Sequence, residues 1–339
     1  MMLASSDSNM TYVESRLAKA KIKMLQLDVF GFCNAKCWYC PVRYIPQPEE
    51  GMVQMPLETI DKIFKQFEEE RDKEEGVVDR SFSLFMTTHY SEILLYKDFA
   101  GLLELARKYR FQTFILSNGV NLSKEKVDLI KEYKDVVPHI GLNIPAFEKE
   151  LWAKRAGFPE KRFDELIANL KYAEETLHGL VELNIHVNGV NTEDFNGRTT
   201  KGPKFDELGI DLDMEHGEWE RQWVIADRMF PKFNVGKGSL MDRTGLISDY
   251  ISNKEMQERR LETRTVVGCG NWGDRTTEWL HINAAGDVIL CCNDYNFDYK
   301  FGNINTQTIA EIWGSDAHAA TVERAYREIC TNCTAAIII

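Results

Sequence analysis

Cys33-Asn-Ala-Lys-Cys37-Trp-Tyr-Cys40 puts three thiols within eight residues, directly after a run that reads as a first strand. Three thiolates at this spacing can wrap one face of an iron-sulfur cubane and leave its fourth iron without a protein ligand. An open iron can chelate a substrate, whereas a structural metal site closes its coordination. Zinc would ask for a fourth Cys or His close by, and the nearest histidine, His89, lies far along the chain.

Five more cysteines return near the other end: Cys269, Cys291, Cys292, Cys330 and Cys333, the last two as a CxxC. Four thiolates are enough to close a second cubane, which leaves one cysteine over; a zinc site of four thiolates is the chemical alternative. Cys291 and Cys292 cannot both point into one site from an extended strand, because neighbours face opposite ways. The first ten residues, MMLASSDSNM, have neither a basic region nor an apolar core, so nothing marks a secretory signal and a cytoplasmic location is expected. Reduced thiols in two metal sites are therefore expected instead of disulfides.

The elements that must position these groups alternate in type. Strands are expected over residues 23–29, 81–86, 111–116, 137–144, 180–187 and 230–235. A helix opens at Pro56, with Leu57, Ile60, Ile63, Phe64 and Phe67 at helical spacing. Others lie near 98–109, from about Ser123, and through Phe163, Leu166, Ile167 and Leu170. Strand and helix in alternation favour a parallel sheet with crossover helices. Residues 188–217 are rich in Gly, Asp and Thr and read as a long functional loop. Beyond about Gly245 the pattern changes to a Cys-bearing segment with a hairpin turning near Ala285 and Gly286.

Bulk properties exclude several classes. With 44% apolar residues and no stretch approaching the roughly 20 needed to span a bilayer, the chain reads as folded and without a membrane segment. Its 41 Lys and Arg against 53 Asp and Glu give a net charge of -12, which disfavours nucleic acid as a partner.

The first motif resembles that of the radical S-adenosylmethionine (SAM) superfamily, whose members carry CxxxCxφC after the first strand of a partial barrel, with an aromatic at φ, here Tyr39. The resemblance implies an α/β fold: a partial (β/α)6 TIM-like barrel followed by a small C-terminal iron-sulfur-binding α+β domain. Its divisions would be an N-terminal segment 1–20, a core 21–245 and an auxiliary domain 246–339. Where the family has Gly-Gly-Glu after the second strand, this chain keeps only Glu92, which would accept hydrogen bonds from the SAM ammonium. Asn143, ending the fourth strand, would face the SAM ribose, Arg155 would pair with the SAM carboxylate and Asn188 would face the adenosine. His89 is a further candidate for the SAM pocket.

The second cysteine group resembles the SPASM and twitch extensions that hold auxiliary clusters in a subset of these enzymes. The resemblance is carried by Cys269, Gly286-x4-Cys291 and Cys330-Thr-Asn-Cys333, with Gly302-Asn303-Ile304 and Ile309-Ala-Glu-Ile-Trp313 between. It implies Cys269, Cys291, Cys330 and Cys333 as ligands of one auxiliary cluster. Trp272, Asp274 and Arg275 would shield or tune that cluster, and Asp242 and Arg243 resemble the segment that precedes such a domain. Two 4Fe-4S clusters and SAM are the implied cofactors, and a reducing partner such as flavodoxin or ferredoxin is implied with them. The implied chemistry is hydrogen abstraction by a 5'-deoxyadenosyl radical, here expected to end in two-electron oxidation of a small molecule such as a sugar or nucleoside. The alternatives are a peptide-modifying enzyme (maturase, epimerase or cross-linking) and a non-catalytic iron-sulfur electron carrier or redox sensor. About 20 residues precede the first strand, too few for a leader-peptide-binding domain, which favours the small molecule.

Overall fold

The computed structural model describes residues 11–49, 52–87, 90–189, 212–239, 265–270, 272–333 and 335–339, with the backbone alone at 212–216, 239 and 332. His89, Asp242, Arg243 and residues 190–211 of the expected loop lie outside the described residues.

Six strands, β1 (Met24–Leu27), β2 (Leu84–Met86), β3 (Gln112–Ser117), β4 (His139–Ile144), β5 (Glu182–Gly189) and β6 (Asn234–Ser239), lie side by side in chain order. Every neighbouring pair among them is parallel. Parallel pairing needs crossovers, and the helices supply them. In α1 (Tyr12–Leu17) a Thr11 and Glu14 capping box fixes the start. The helix α2 (Leu57–Asp72) turns Ile60, Ile63, Phe64 and Phe67 inward, and Phe64 meets Phe85 of β2 at 4.9 Å and Phe111 at 5.2 Å. Then come α3 (Phe99–Lys108), α4 (Lys124–Glu132), α5 (Lys149–Ala156), α6 (Lys161–Leu177) and α7 (Leu212–Met229). This is the expected α/β architecture of a partial barrel.

The sixth strand departs from expectation. Residues 230–235 were the expected strand, but α7 runs to Met229, and Phe230 and Phe233 are buried in the turn that follows, where Phe230 packs on Phe147 at 5.8 Å. Asn234–Ser239 is what pairs with β5. Phe230 and Phe233, three residues apart with Pro231 between, pack on each other in the core, and the strand itself carries two glycines that give it little apolar signal.

The C-terminal strands β7 (Val266–Cys269), β8 (Trp279–Ile282), β9 (Asp287–Ile289), β10 (Lys300–Asn303) and β11 (Ala336–Ile338) divide between two sheets. β8 pairs in parallel with β1, from Met24 opposite Trp279 to Leu27 opposite Ile282, so the large sheet runs β10-β9-β8-β1-β2-β3-β4-β5-β6. The hairpin between β8 and β9 turns where expected. Asn283 Oδ1 accepts from the amides of Ala285 and Asp287, and Gly286 takes φ 88°, a conformation that glycine adopts without strain. β7 and β11 form a separate antiparallel pair. Helices α8 (Ile309–Trp313) and α9 (Asp316–Arg327) complete this part. Val13 of α1 joins its core with Val266, Leu290, Tyr299 and Val322, and Arg16 pairs with Asp274 at 2.7 Å. The N-terminal segment thus packs on the C-terminal one.

Candidate active site

The chain leaves β1 at the carboxyl end of the sheet and enters the cysteine loop. Backbone bonds hold this loop against the end of α5: Lys36 N donates to Ala156 O and Trp38 N to Arg155 O, both at 2.9 Å. Gly157, which ends α5 at φ 72°, lies so close that a Cβ there would stand 2.8 Å from Lys36 Cβ, so only glycine fits. Asn34 is tied on both sides, its Oδ1 accepting from Asn118 Nδ2 at 3.0 Å and its Nδ2 donating to Asn121 Oδ1 at 2.8 Å.

So held, Cys33, Cys37, Tyr39 and Cys40 form one wall of a cavity of about 330 Å³. Strand ends supply the floor: Gln26, Met86, Leu116 and Asn143. Burial pushes the Cys37 thiol up to about 12, with Cys40 adding to the shift, and raises Cys33 as well, where Glu92 and Cys37 add to it. Thiolates so buried need a cation to offset their charge, and an iron-sulfur core supplies it. Among the described residues no three Cys, His, Asp or Glu side chains converge as ligands of a single ion. A cubane takes one thiolate per iron and so spreads its ligands around a larger body.

Glu92 lies on the cavity wall, 1% exposed. Its Oε1 accepts from Ser117 Oγ at 2.8 Å and Leu94 N at 3.1 Å, and its Oε2 from Asn118 N at 2.8 Å. A carboxylate offers about four acceptor positions, so one remains, on Oε2. Burial raises the Glu92 pKa against the pull of these three donors. Relative to the unfolded chain, folding therefore shifts this group toward the acid form. Stability from this group is greatest below the ordinary Glu pKa and falls as pH rises through the raised native value. Glu92→Gln should abolish that slope and turn an amide N–H toward a donor, lowering unfolding free energy by about 1–3 kcal/mol. Denaturant unfolding across acidic pH checks both. A variant as stable as the parent, with the slope intact, would mean these bonds are not made.

Asn143 is reached by the Tyr39 hydroxyl, which donates to its carbonyl at 3.5 Å, and by Asn188, whose Nδ2 stands 3.5 Å from its Oδ1. Asn188 is thus one layer behind the wall. Arg155 is also outside it: 2% exposed, with its guanidinium 5.9 Å from the Trp38 ring. Its carbonyl takes the Trp38 amide, so Arg155 supports the cysteine loop.

The opposite wall was not legible in the sequence. Trp272, Arg275 and Cys292 line the same cavity, brought there by the pairing of β8 with β1. Trp272 and Arg275 were expected at the second cysteine group on proximity to Cys269 alone. Arg275 stacks over Trp279 at 4.6 Å and donates a hydrogen bond to Cys292 Sγ. Asp274 points elsewhere. Its Oδ2 takes the Cys269 amide at 3.2 Å and its Oδ1 the Thr276 amide at 2.9 Å.

Cys269, at the end of β7, Cys291, after β9, and Cys330 and Cys333, on the turn after α9, form a second group. Burial raises Cys291, Cys330 and Cys333. Cys291 feels Cys292, Cys330 and Cys333; Cys330 feels Cys333 and Cys269, and Cys333 feels Cys269 and Cys292. Asn293 donates from its amide to Cys291 Sγ at 3.4 Å and from its side chain to Cys333 Sγ at 3.5 Å. Such N–H···S bonds stabilise thiolate charge and set a cluster's potential. Cys291 joins this group while Cys292 lines the cavity; both lie beyond the end of β9, where the chain turns, so the turn and not strand alternation sets them apart. Cys292→Ser should leave the iron content of the reconstituted protein unchanged and Cys291→Ser should lower it. The opposite result would reverse the assignment.

Residues 27–197 match the radical SAM superfamily, and residues 269–334 match SPASM, an iron-sulfur cluster-binding domain. The chain belongs to the radical SAM superfamily. SAM, the 4Fe-4S cluster that binds it and an auxiliary iron-sulfur site are therefore its cofactors, and the thiol sets described above are the chemistry such groups need. Solved structures share the fold. BtrN in complex with AdoMet and 2-DOIA is 16% identical over 93% of this chain and 92% of that one, with TM-score 0.52. Streptococcus suis SuiB bound to its precursor peptide SuiA is 15% identical, covering 98% and 78%, at 0.55. Native anSMEcpe with AdoMet and the Cp18Cys peptide is 15% identical, covering 93% and 86%, at 0.54. Among the described residues no helix is long and apolar enough to cross a membrane.

Proposed function

We propose that this radical SAM enzyme takes a hydrogen atom from a small molecule such as a sugar or nucleoside and passes the second electron to one auxiliary cluster, so that the net change is a two-electron oxidation. Cys33, Cys37 and Cys40 hold the SAM-binding cluster, and Cys269, Cys291, Cys330 and Cys333 hold the auxiliary one. When bound, the first cluster and SAM supply the electron and the 5'-deoxyadenosyl radical. The chain supplies position. The open acceptor of Glu92 takes the SAM ammonium, Asn143 backed by Asn188 meets the ribose side, Tyr39 closes over the cluster, and Arg155 braces the loop through Trp38.

One observation carries the oxidation: adjacent residues serve the two sites. Cys292 is in the cavity wall and Cys291 is in the auxiliary group. A single peptide unit separates them, a short covalent route for an electron leaving the substrate. A ferredoxin or flavodoxin is the class of donor that would reduce the first cluster.

The reconstituted protein, given SAM and dithionite without air, should form 5'-deoxyadenosine and methionine, followed by chromatography and mass spectrometry. Absence of both from protein with full iron content would favour the electron-carrier reading. The peptide complexes of SuiB and anSMEcpe support a second reading, peptide modification. Deuterium passing into 5'-deoxyadenosine from labelled peptides, and from no labelled sugar or nucleoside, would replace the first reading with it.

A further inference from the structure

We propose that Trp272, with Arg275 beside it, is a stacking platform at the cavity mouth for a substrate ring with one flat face and a polar edge, the shared chemistry of sugars and nucleosides. This rests on the hydrogen-abstraction reading above and specifies the substrate it acts on. Trp272 lines the cavity yet is 68% exposed, so it stands where the cavity meets solvent. Its backbone is left-handed, φ 56°, a region that a bulky side chain rarely enters. Packing does not explain the strain, since the indole is mostly in water. Strain kept without a packing reward points to function.

The surroundings force this conformation. Trp279 Nε1 donates to Trp272 O at 3.1 Å, Gly273 follows at φ 89°, and Asp274 ties the turn to Cys269 and to Arg16. An indole held this way offers one flat face at little entropic cost, suited to the C–H face of a sugar or the π face of a base. Arg275, three residues on in the same turn, is held in the cavity wall by Trp279 and Cys292, a guanidinium whose planar geometry suits hydroxyl or phosphate oxygens on the ring's edge.

Holoenzyme labelled with 5-fluorotryptophan, kept anaerobic and oxidised with SAM present, gives a fluorine resonance for Trp272 that Trp272→Phe identifies by its loss. Glucosamine, methyl glucoside, adenosine and uridine serve as probes and the tripeptide Ala-Ser-Ala as control. At least one ring probe should shift that resonance saturably, and the probe that does so separates sugar from nucleoside. Calorimetry should show that probe about tenfold weaker with Trp272→Ala and near the parent with Trp272→Phe. Trp272→Gly should unfold at a higher temperature than Trp272→Ala, because glycine relieves the left-handed backbone. A shift with the peptide alone, or with no probe, overturns the platform. So does equal loss of stability in the Gly and Ala variants, which would make Trp272 a packing residue. Failure here in protein that still cleaves SAM leaves the hydrogen-abstraction reading standing, whereas absence of SAM cleavage in the parent defeats that reading itself.

Discussion

Replacing Cys33, Cys37 and Cys40 together by alanine should remove about half of the roughly eight iron atoms expected for two cubanes and abolish formation of 5'-deoxyadenosine. The fold should survive this change, because backbone bonds from Lys36 and Trp38 to α5, the fit against Gly157 and the buried Trp38 indole hold the loop, not the thiols. Each thiol is small and none is among the largest buried side chains, so the cavity left by alanine is modest. Circular dichroism and the unfolding midpoint of the iron-free chain should stay close to the parent's. Iron and sulfide assays after anaerobic reconstitution, beside chromatography for 5'-deoxyadenosine, make the comparison. A triple variant that still produced 5'-deoxyadenosine would falsify the assignment of these cysteines to the SAM-binding cluster.

Cys330→Ala combined with Cys333→Ala should remove the other half of the iron while leaving SAM cleavage in place. The second core, Val13 with Val266, Leu290, Tyr299 and Val322, lies beside these cysteines and does not depend on a metal for its apolar burial. β11 pairs with β7, setting Ala336 opposite Cys269, and so also ties down the C-terminal end. Solubility should therefore persist. A cluster closed by four thiolates has no vacant iron for substrate, which leaves electron transfer or structural support as its tasks. If it accepts the second electron, the double variant should still move deuterium from labelled substrate into 5'-deoxyadenosine, and the oxidised product should disappear. An insoluble variant, or one that no longer cleaves SAM, would assign the cluster to structure. Deuterium transfer without any oxidised product in the intact enzyme would defeat the oxidation and favour a redox-neutral rearrangement or coupling.

Several features could be read only because they are local. Cys33, Cys37 and Cys40 are near one another in any compact fold, so their chemistry is legible from spacing. The helical face of Ile60, Ile63, Phe64 and Phe67 follows from periodicity, and the turn at Gly286 from its residues. The division between Cys291 and Cys292 was expected from strand alternation, but β9 ends at Ile289 and the two residues sit in the turn that follows. The sixth strand was misplaced because β6 carries almost no apolar signal of its own, while the buried Phe230 and Phe233 before it carry a strong one.

What tertiary structure decided concerns groups far apart in sequence. Glu92 was readable as a candidate, but only the neighbouring β3 end supplies Ser117 and Asn118 to orient its carboxylate. Arg155 has the right chemistry for a carboxylate, and only the fold shows that its guanidinium is buried 5.9 Å from the Trp38 ring of the cysteine loop. Trp272, Arg275 and Cys292 reach the cavity for one reason, the parallel pairing of β8 with β1 across more than two hundred residues of chain. Thiol spacing is a property of a short peptide and survives any fold. A cavity wall shared by the two ends of the chain is a property of strand pairing, where hydrogen bonds and buried area from distant segments select one arrangement that no local pattern encodes.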